Sequence, residues 1–483
     1  MLFNSLEFIL FFSLVTVIYF LLPHRYRWFH LLISSCVFYM FFIPVYIFIL
    51  FFTIIIDYYA GILIEGTLEK TRKKRWLVMS LIANVGILCV FKYCNFFIEN
   101  VNTLFGYDVA AGQGIPYLSI ILPIGLSFHT FQAMSYTIEV YRGNQKAERH
   151  LGIYALYVMF YPQLVAGPIE RPQNILHQFY EKHEFEYTRV VSGLRLMLWG
   201  MFKKVVIADN LSNVVNVIYS NPDEQNGLTY LIAALFFSFQ IYCDFSGYSD
   251  IAVGSARVMG FDLMKNFNVP YISSSIKEFW ARWHISLSSW FRDYLYIPLG
   301  GSRVSKFKRY RNLMIVFLLS GLWHGANWTF IAWGALHGAF NSIEMAVAKK
   351  LSGKYVNRCI KLLKVIFIFS FVSFAWIFFR SASIQQALLI IKTIFTGTVP
   401  AVFNYLAGKP VFIGLGEYTI QTVLLLFLTL CLFYFTDWLK EKEQIKVYFM
   451  NHSVFRTACY FMLFYGILFY GFFGNTQFIY FQF

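Results

Sequence analysis

Apolar residues come along this chain in unbroken runs. Stretches of about 20 residues, the length a helix needs to cross a hydrocarbon core of ~30 Å, recur from one end of the sequence to the other. They do not alternate residue by residue, which argues against a β-barrel. The pattern predicts helices over about 2–22, 28–43, 44–64, 77–92, 228–250, 362–379, 418–436 and 457–473, with Gly, Pro and Asn residues breaking the chain over 397–417. The first run has no basic n-region and no small-residue cleavage site, so it reads as a retained helix. No internal repeat is evident, against the commonest transporter designs. The expectation is an all-α polytopic membrane protein, a single membrane-embedded domain over 1–483. Its motif-rich core covers about 115–345, followed by C-terminal helices and an aromatic tail over 360–483.

Polar islands interrupt this pattern. In ILPIGLSFHTFQAMSYTIEVYRG (121–143), Pro123 and Gly125 predict an irregular start. His129 and Gln132 lie at membrane depth and must find partners in protein or water, so they face inward. YPQLVAGPIERP (161–172), with three prolines, Glu170 and Arg171, reads as a structured, re-entrant loop, and a soluble-looking stretch leads to Lys203 and Lys204. Asp57 reads as a helix-end or packing residue. Asp244, Ser246, Tyr248, Ser249 and Asp250 in IYCDFSGYSD are costly unless paired or wetted; they either line a polar cavity or bridge helices. YISSSIKEFWARWHISLSSWFRDYLYIPLGG (271–301), containing His284, is too polar for a lipid-facing pass and suits an interfacial or re-entrant segment.

The stretch of greatest interest is FLLSGLWHGANWTFIAWGALHGAF (317–340). An ionisable residue inside a membrane is a functional hypothesis by default, and here His324 and His337 are each followed by a glycine that permits close approach. The alternative is a histidine hydrogen-bonded between helices. On one straight helix from Arg311, His324 would lie roughly 20 Å into the core and His337 ~140° around the axis from it. The two need not share a face.

Composition and charge sharpen this. The 483 residues are 58% hydrophobic, 21% aromatic and 13% charged, against about 25% charged in a soluble domain. The net charge of +15 sits in short loops, at 70–75, 142–149, 303–311, 349–358 and 440–456, which is the positive-inside pattern and not a nucleic-acid surface. Basic loops on both sides of 317–340 imply that it goes in and comes back. The same count puts both termini on the extracytoplasmic side. Seven scattered cysteines imply neither a disulfide framework nor a metal site.

Five segments in order resemble the membrane-bound O-acyltransferase family, in its alginate O-acetyltransferase-like branch: PIGLSFHTFQAMSYTIEVYRG, YPQLVAGPIERP, QIYCDFSGYSD, NFNVPYISSSIKEFWARWHISLSSWFRDYLYIPLGG and GLWHGANWTFIAWGALHG. The resemblance implies a ring of about a dozen transmembrane helices, with re-entrant or interfacial helices, around a central tunnel. It makes the histidine of the WHG motif, His324, the catalytic residue and gives the histidine of RWHISLS, His284, a second role. It further implies cytoplasmic acetyl-CoA as donor, an extracytoplasmic esterase-like (SGNH) partner, a cell-surface polysaccharide acceptor and a place in the bacterial inner membrane. A tyrosine in a FxYF-like tail serves as acyl acceptor in related systems, and Phe478, Tyr480, Phe481 and Phe483 match that tail; the other reading of these residues is an aromatic interface anchor.

Acyl transfer from a thioester needs a base for the attacking hydroxyl and a donor for the oxyanion. A neutral imidazole suits the base, so His324 takes that role, with His284 orienting the acceptor or donating to the oxyanion. Trp323, Asn327 and Trp328 either shape the tunnel or simply pack, as do Asp244 and Tyr248. Arg282 and the loop 303–311 either meet the CoA phosphates or only anchor the fold. Rival readings are transfer to peptidoglycan, D-alanyl transfer to teichoic acid, a lipid or protein acyltransferase, and a transporter or flippase using the histidines as a proton relay.

Overall fold

The computed structural model describes residues 1–483 except 110, 166, 222–224, 349–357, 409–426, 428–429, 432–433, 435–451, 474–477 and 480–483. All regular structure among the described residues is helical. Six helices there are long and apolar enough to cross a membrane: Pro44–Gly66, Lys70–Phe105, Gly227–Met259, Cys359–Arg380, Ile384–Leu406 and Ser453–Tyr470. The protein is an all-α, multi-pass membrane protein. Most of the expected pass at 418–436, the basic residues Lys440, Lys442 and Lys446 and the tail from Tyr480 onward lie outside the described residues, whereas Arg456 falls in helix Ser453–Tyr470.

Three elements differ from their sequence reading. The fourth pass is not confined to 77–92 but belongs to a 36-residue helix, Lys70–Phe105, whose register is broken only by a π-helical turn at Cys89–Tyr93. Helix Ile384–Leu406 includes Gly397 and Pro400, which read as loop. A proline inside a helix deprives one carbonyl, here Thr396 O, of its donor, a loss that membrane helices tolerate, and the helix continues past Pro400 to Leu406. Lys203 and Lys204, expected on a soluble-looking stretch, are buried in a π-helical turn, Phe202–Ala208; a π-turn inside a helix frequently marks a functional site.

The chain divides into two compact units, residues 1–197 with 249–265 and residues 198–248 with 266–483. In the first, helices Ile47–Gly66, Lys70–Leu88 and Leu126–Arg142 enclose Asp57, which is fully buried. Ser80 Oγ donates to its carboxylate at 2.5 Å and Asn84 Nδ2 at 2.9 and 3.0 Å. Asp57 is therefore the acceptor of an interior polar network, not a helix-end residue.

In the second unit, Lys306–His324 and Trp328–Ala348 form a helical hairpin. Glycines set its spacing. A β-carbon on Gly321 would lie 2.2 Å from Phe330 O, and one on Gly334 would lie 2.3 Å from Phe317 O. Small residues let membrane helices pack backbone to backbone in this way.

Candidate active site

His324 ends the helix Lys306–His324, and the chain reverses over the next three residues. Gly325 is extended, and a β-carbon there would collide with the Phe330 ring at 2.1 Å, so the turn must carry glycine. The histidine is buried, with ring centroids of Trp323, Trp333 and Phe379 at 5.0, 5.1 and 5.5 Å. Because the chain turns at 325–327, angular spacing on one helix does not govern the two histidines. Trp333 touches both, edge-on to His324 and 4.9 Å from His337. His337 is wholly buried among Trp280, Trp333, Phe317 and Phe371.

His284 comes from a short segment whose local structure is dense with caps. Helix Ile276–Arg282 begins at Ser275, whose Oγ accepts the Glu278 N–H at 3.0 Å, while Glu344 accepts the Ile276 N–H at 3.1 Å. It ends where His284 enters the left-handed region, at φ 43° and ψ 55°. A non-glycine residue there costs of order 1–3 kcal/mol and persists only where its surroundings over-determine it. Here Asn266 and Asn268 do so. The Asn268 N–H donates to Arg282 O at 2.9 Å and the Ile285 N–H donates to Asn266 O at 2.9 Å, bracketing His284 on both sides.

Asn266 also fixes the histidine's tautomer. Its Oδ1 accepts from the Ser286 N–H at 3.2 Å and from Ser286 Oγ at 2.9 Å. A backbone N–H can only donate, so the atom facing it is the amide oxygen and not the nitrogen. That same Oδ1 lies 3.2 Å from His284 Nδ1, which must therefore carry the proton. In neutral His284 the lone pair is left on Nε2. The group this ring offers is an acceptor, which suits orienting a hydroxyl and not donating to an oxyanion. The rings of His284 and His324 stand 6.5 Å apart, and Trp323 contacts both.

The other candidates divide. Trp323 and the two histidines converge. Asn327 instead holds the turn, donating through Nδ2 to Ala382 O at 3.1 Å and accepting the Thr329 N–H at 3.0 Å, while Trp328 is 55% exposed and outside the cluster. Arg282 is engaged by Glu278 and by Asn268 O, both at 3.1 Å. Asp244 pairs with Lys204 at 2.7 Å, and Tyr248 is fully buried. Tyr480 lies outside the described residues, but its neighbours Phe478 and Ile479 are buried. Sequence reasoning passed over Asn266, which stands in the quoted NFNVP segment, and Trp333, which stands in IAWG. Neither carries a charge, and only the fold shows what each touches.

Comparison with known proteins places the chain in a family. Residues 145–383 match the model of the membrane-bound O-acyltransferase family. The chain is 40% identical over 395 residues to a probable alginate O-acetylase of Azotobacter vinelandii, covering 80% of this chain and 76% of that protein. It is 37% identical over 388 residues to a peptidoglycan O-acetyltransferase of Helicobacter pylori, covering 75% and 72%. To a teichoic acid D-alanyltransferase of Bacillus subtilis it is 30% identical over 282 residues, covering 55% and 70%. The chain belongs to the membrane-bound O-acyltransferase family and is a multi-pass membrane O-acyltransferase.

Proposed function

We propose that this enzyme takes an acetyl group from cytoplasmic acetyl-CoA and passes it across the bacterial inner membrane for O-acetylation of an extracytoplasmic polysaccharide, with His324 as base. The observation that carries the reading is the pairing of two buried imidazoles 6.5 Å apart, one of them held in a single tautomer. Its support on the acetyl side is the extent of likeness to the alginate and peptidoglycan enzymes, which exceeds that to the D-alanyltransferase.

In the step itself His324 removes the proton from the attacking hydroxyl as its oxygen bonds to the thioester carbonyl carbon. The tetrahedral intermediate then collapses, the C–S bond breaks, and the imidazolium returns the proton to the CoA thiolate. His284, with Nε2 as acceptor, orients the attacking hydroxyl. An oxyanion donor is still required, and the indole of Trp323, against both imidazoles, is the nearest candidate. We assign the first acceptor to the Tyr480 hydroxyl. It leaves as an acetyl ester for an extracytoplasmic esterase-like partner, which transfers the group to the polysaccharide. Support for Tyr480 comes from the burial of Phe478 and Ile479 within the same unit as the histidines.

The test is acetyl-CoA turnover by the purified protein in nanodiscs, wild type beside His324→Ala with helicity and melting checked. Loss in the variant alone is expected. Equal turnover in both removes His324 from the chemistry. Turnover in neither, with partner and glycan supplied, points to a carrier-bound donor such as D-alanyl thioester.

A further inference from the structure

A buried ion cluster in the second unit has no part in the acyl-transfer step. Lys204 Nζ lies 2.8 Å from Asp209 Oδ1 and 2.7 Å from Asp244 Oδ1, and all three side chains are almost wholly out of solvent. Beside it Lys203 Nζ donates to Ser246 Oγ at 2.9 Å. Both lysines stand in the π-helical turn Phe202–Ala208. Burying such a group costs several kcal/mol per ion, and replacing it with apolar residues is often neutral or stabilising. A cluster retained in an apolar chain is better explained by something it binds.

The second oxygen of Asp244 is bound. Asp244 Oδ2 accepts the Ile479 N–H at 2.8 Å, across 235 residues of sequence. The preceding residue, Phe478, is fully buried and stacks on Tyr248 with ring centroids 4.5 Å apart and planes at 24°. It also lies 5.5 Å from the Phe245 ring, which in turn stands 4.6 Å from His284. One helix face, carrying Asp244, Phe245 and Tyr248, therefore meets the 478–479 segment on one side and a site histidine on the other. A main-chain N–H bound to a carboxylate is a charge-assisted hydrogen bond, and it reads the backbone of the incoming segment, not its side chain.

We propose that Asp244, paired with Lys204, is a positioning residue: a latch that seats the 478–479 segment against the His284 side of the site. This rests on the reading of Tyr480 as acceptor for its purpose but not for its existence. Lys204 gives the carboxylate its charge partner, Asp209 balances Lys204, and the Tyr248–Phe478 stack fixes the side-chain register. In chemical terms the ligand of the cluster is a peptide main-chain N–H of this same polypeptide.

The test is hydrogen–deuterium exchange with mass spectrometry on the full chain in nanodiscs, following the peptide that contains residues 478–483, together with acetyl-CoA turnover. Asp244→Ala is expected to speed exchange of that peptide at least 10-fold while peptides from 306–348 keep wild-type rates. Ile479→Pro removes the donor N–H and leaves the ion cluster intact, so it keeps the question open to measurement should Asp244→Ala fail to fold. It is expected to speed exchange of residues 480–483 to the same degree. A Tyr480→Phe/Asp244→Ala double variant is expected to turn over no more slowly than the slower single variant. Unchanged exchange at 478–483 in either folded variant overturns the latch. Faster exchange with unchanged turnover leaves the latch standing and removes Tyr480 from the chemistry.

Discussion

Two carboxylates buried on membrane helices invite comparison. Asp57, in the first unit, is served by neutral donors from a neighbouring helix, Ser80 and Asn84, all within 27 residues of it in sequence. Asp244, in the second, is served by the ammonium of Lys204 and by a main-chain N–H from the far end of the described chain. The first network is built from neutral groups of one unit, with Ser80 and Asn84 on one helix and Thr137 Oγ1 3.2 Å from Ser80 Oγ on another. The second is completed only when a distant segment arrives, and it lies one ring away from His284. A buried polar group is not in itself a sign of function. Function shows in where its partners come from.

The contrast can be broken at its strongest point first. His324→Ala should lower acyl transfer by ~10³-fold or more, the upper range for a general base, while the melting temperature moves only a few degrees. A loss below tenfold would put the base elsewhere in the second unit. Next comes Asn266→Ala, which frees the His284 tautomer and removes the acceptor of the Ser286 N–H. Transfer should fall ~10–100-fold, and the unpaired donor should cost about 1–3 kcal/mol in unfolding. His284→Asn, which tolerates a left-handed backbone, should fall as far in transfer while keeping the fold. If Asn266→Ala lowers stability without touching kcat, its role is structural only. Third is Gly321→Ala, whose β-carbon displaces Phe330 O. We expect transfer to drop ~10-fold as the hairpin spreads, read as kcat with KM nearly unchanged.

The smallest catalytic effect should be at Asp57. Asp57→Leu removes the carboxylate that Ser80 and Asn84 donate to and should cost about 1–3 kcal/mol, with transfer per folded molecule within twofold of wild type. A large loss of transfer at equal folded fraction would join the first unit's network to the chemistry and dissolve the contrast.

Much of this was legible in the chain itself. Continuous apolar runs announce membrane helices through their length and hydropathy, and His324 stands out because an imidazole in such a run is expensive; His284, in a segment too polar for a lipid-facing pass, was marked by the family resemblance alone. What escaped were features without a one-dimensional signature. Lys203 and Lys204 looked solvent-facing because Ser246, which accepts from Lys203, and Asp244, which pairs with Lys204, lie on a later helix. Pro400 looked like a break because a proline costs a helix one hydrogen bond, and only the structure shows the helix running through it from Ile384 to Leu406. Trp328 looked like Trp323 because composition does not tell an inward face from an outward one, and only the reversal at 325–327 separates them. Asn266 has no charge to draw attention, and its weight is in geometry.

The glycine contacts of the 317–334 hairpin have a mechanical consequence. Two helices whose main chains touch at Gly321 and Gly334 have no side-chain layer to slide or compress, so the pair moves as one stiff strut bearing His324 at its tip. The segment 276–296, by contrast, is two seven-residue helices and a π-turn with a left-handed joint between the first two, so a spectroscopic label on the hairpin is expected to report less motion than one on 285–296.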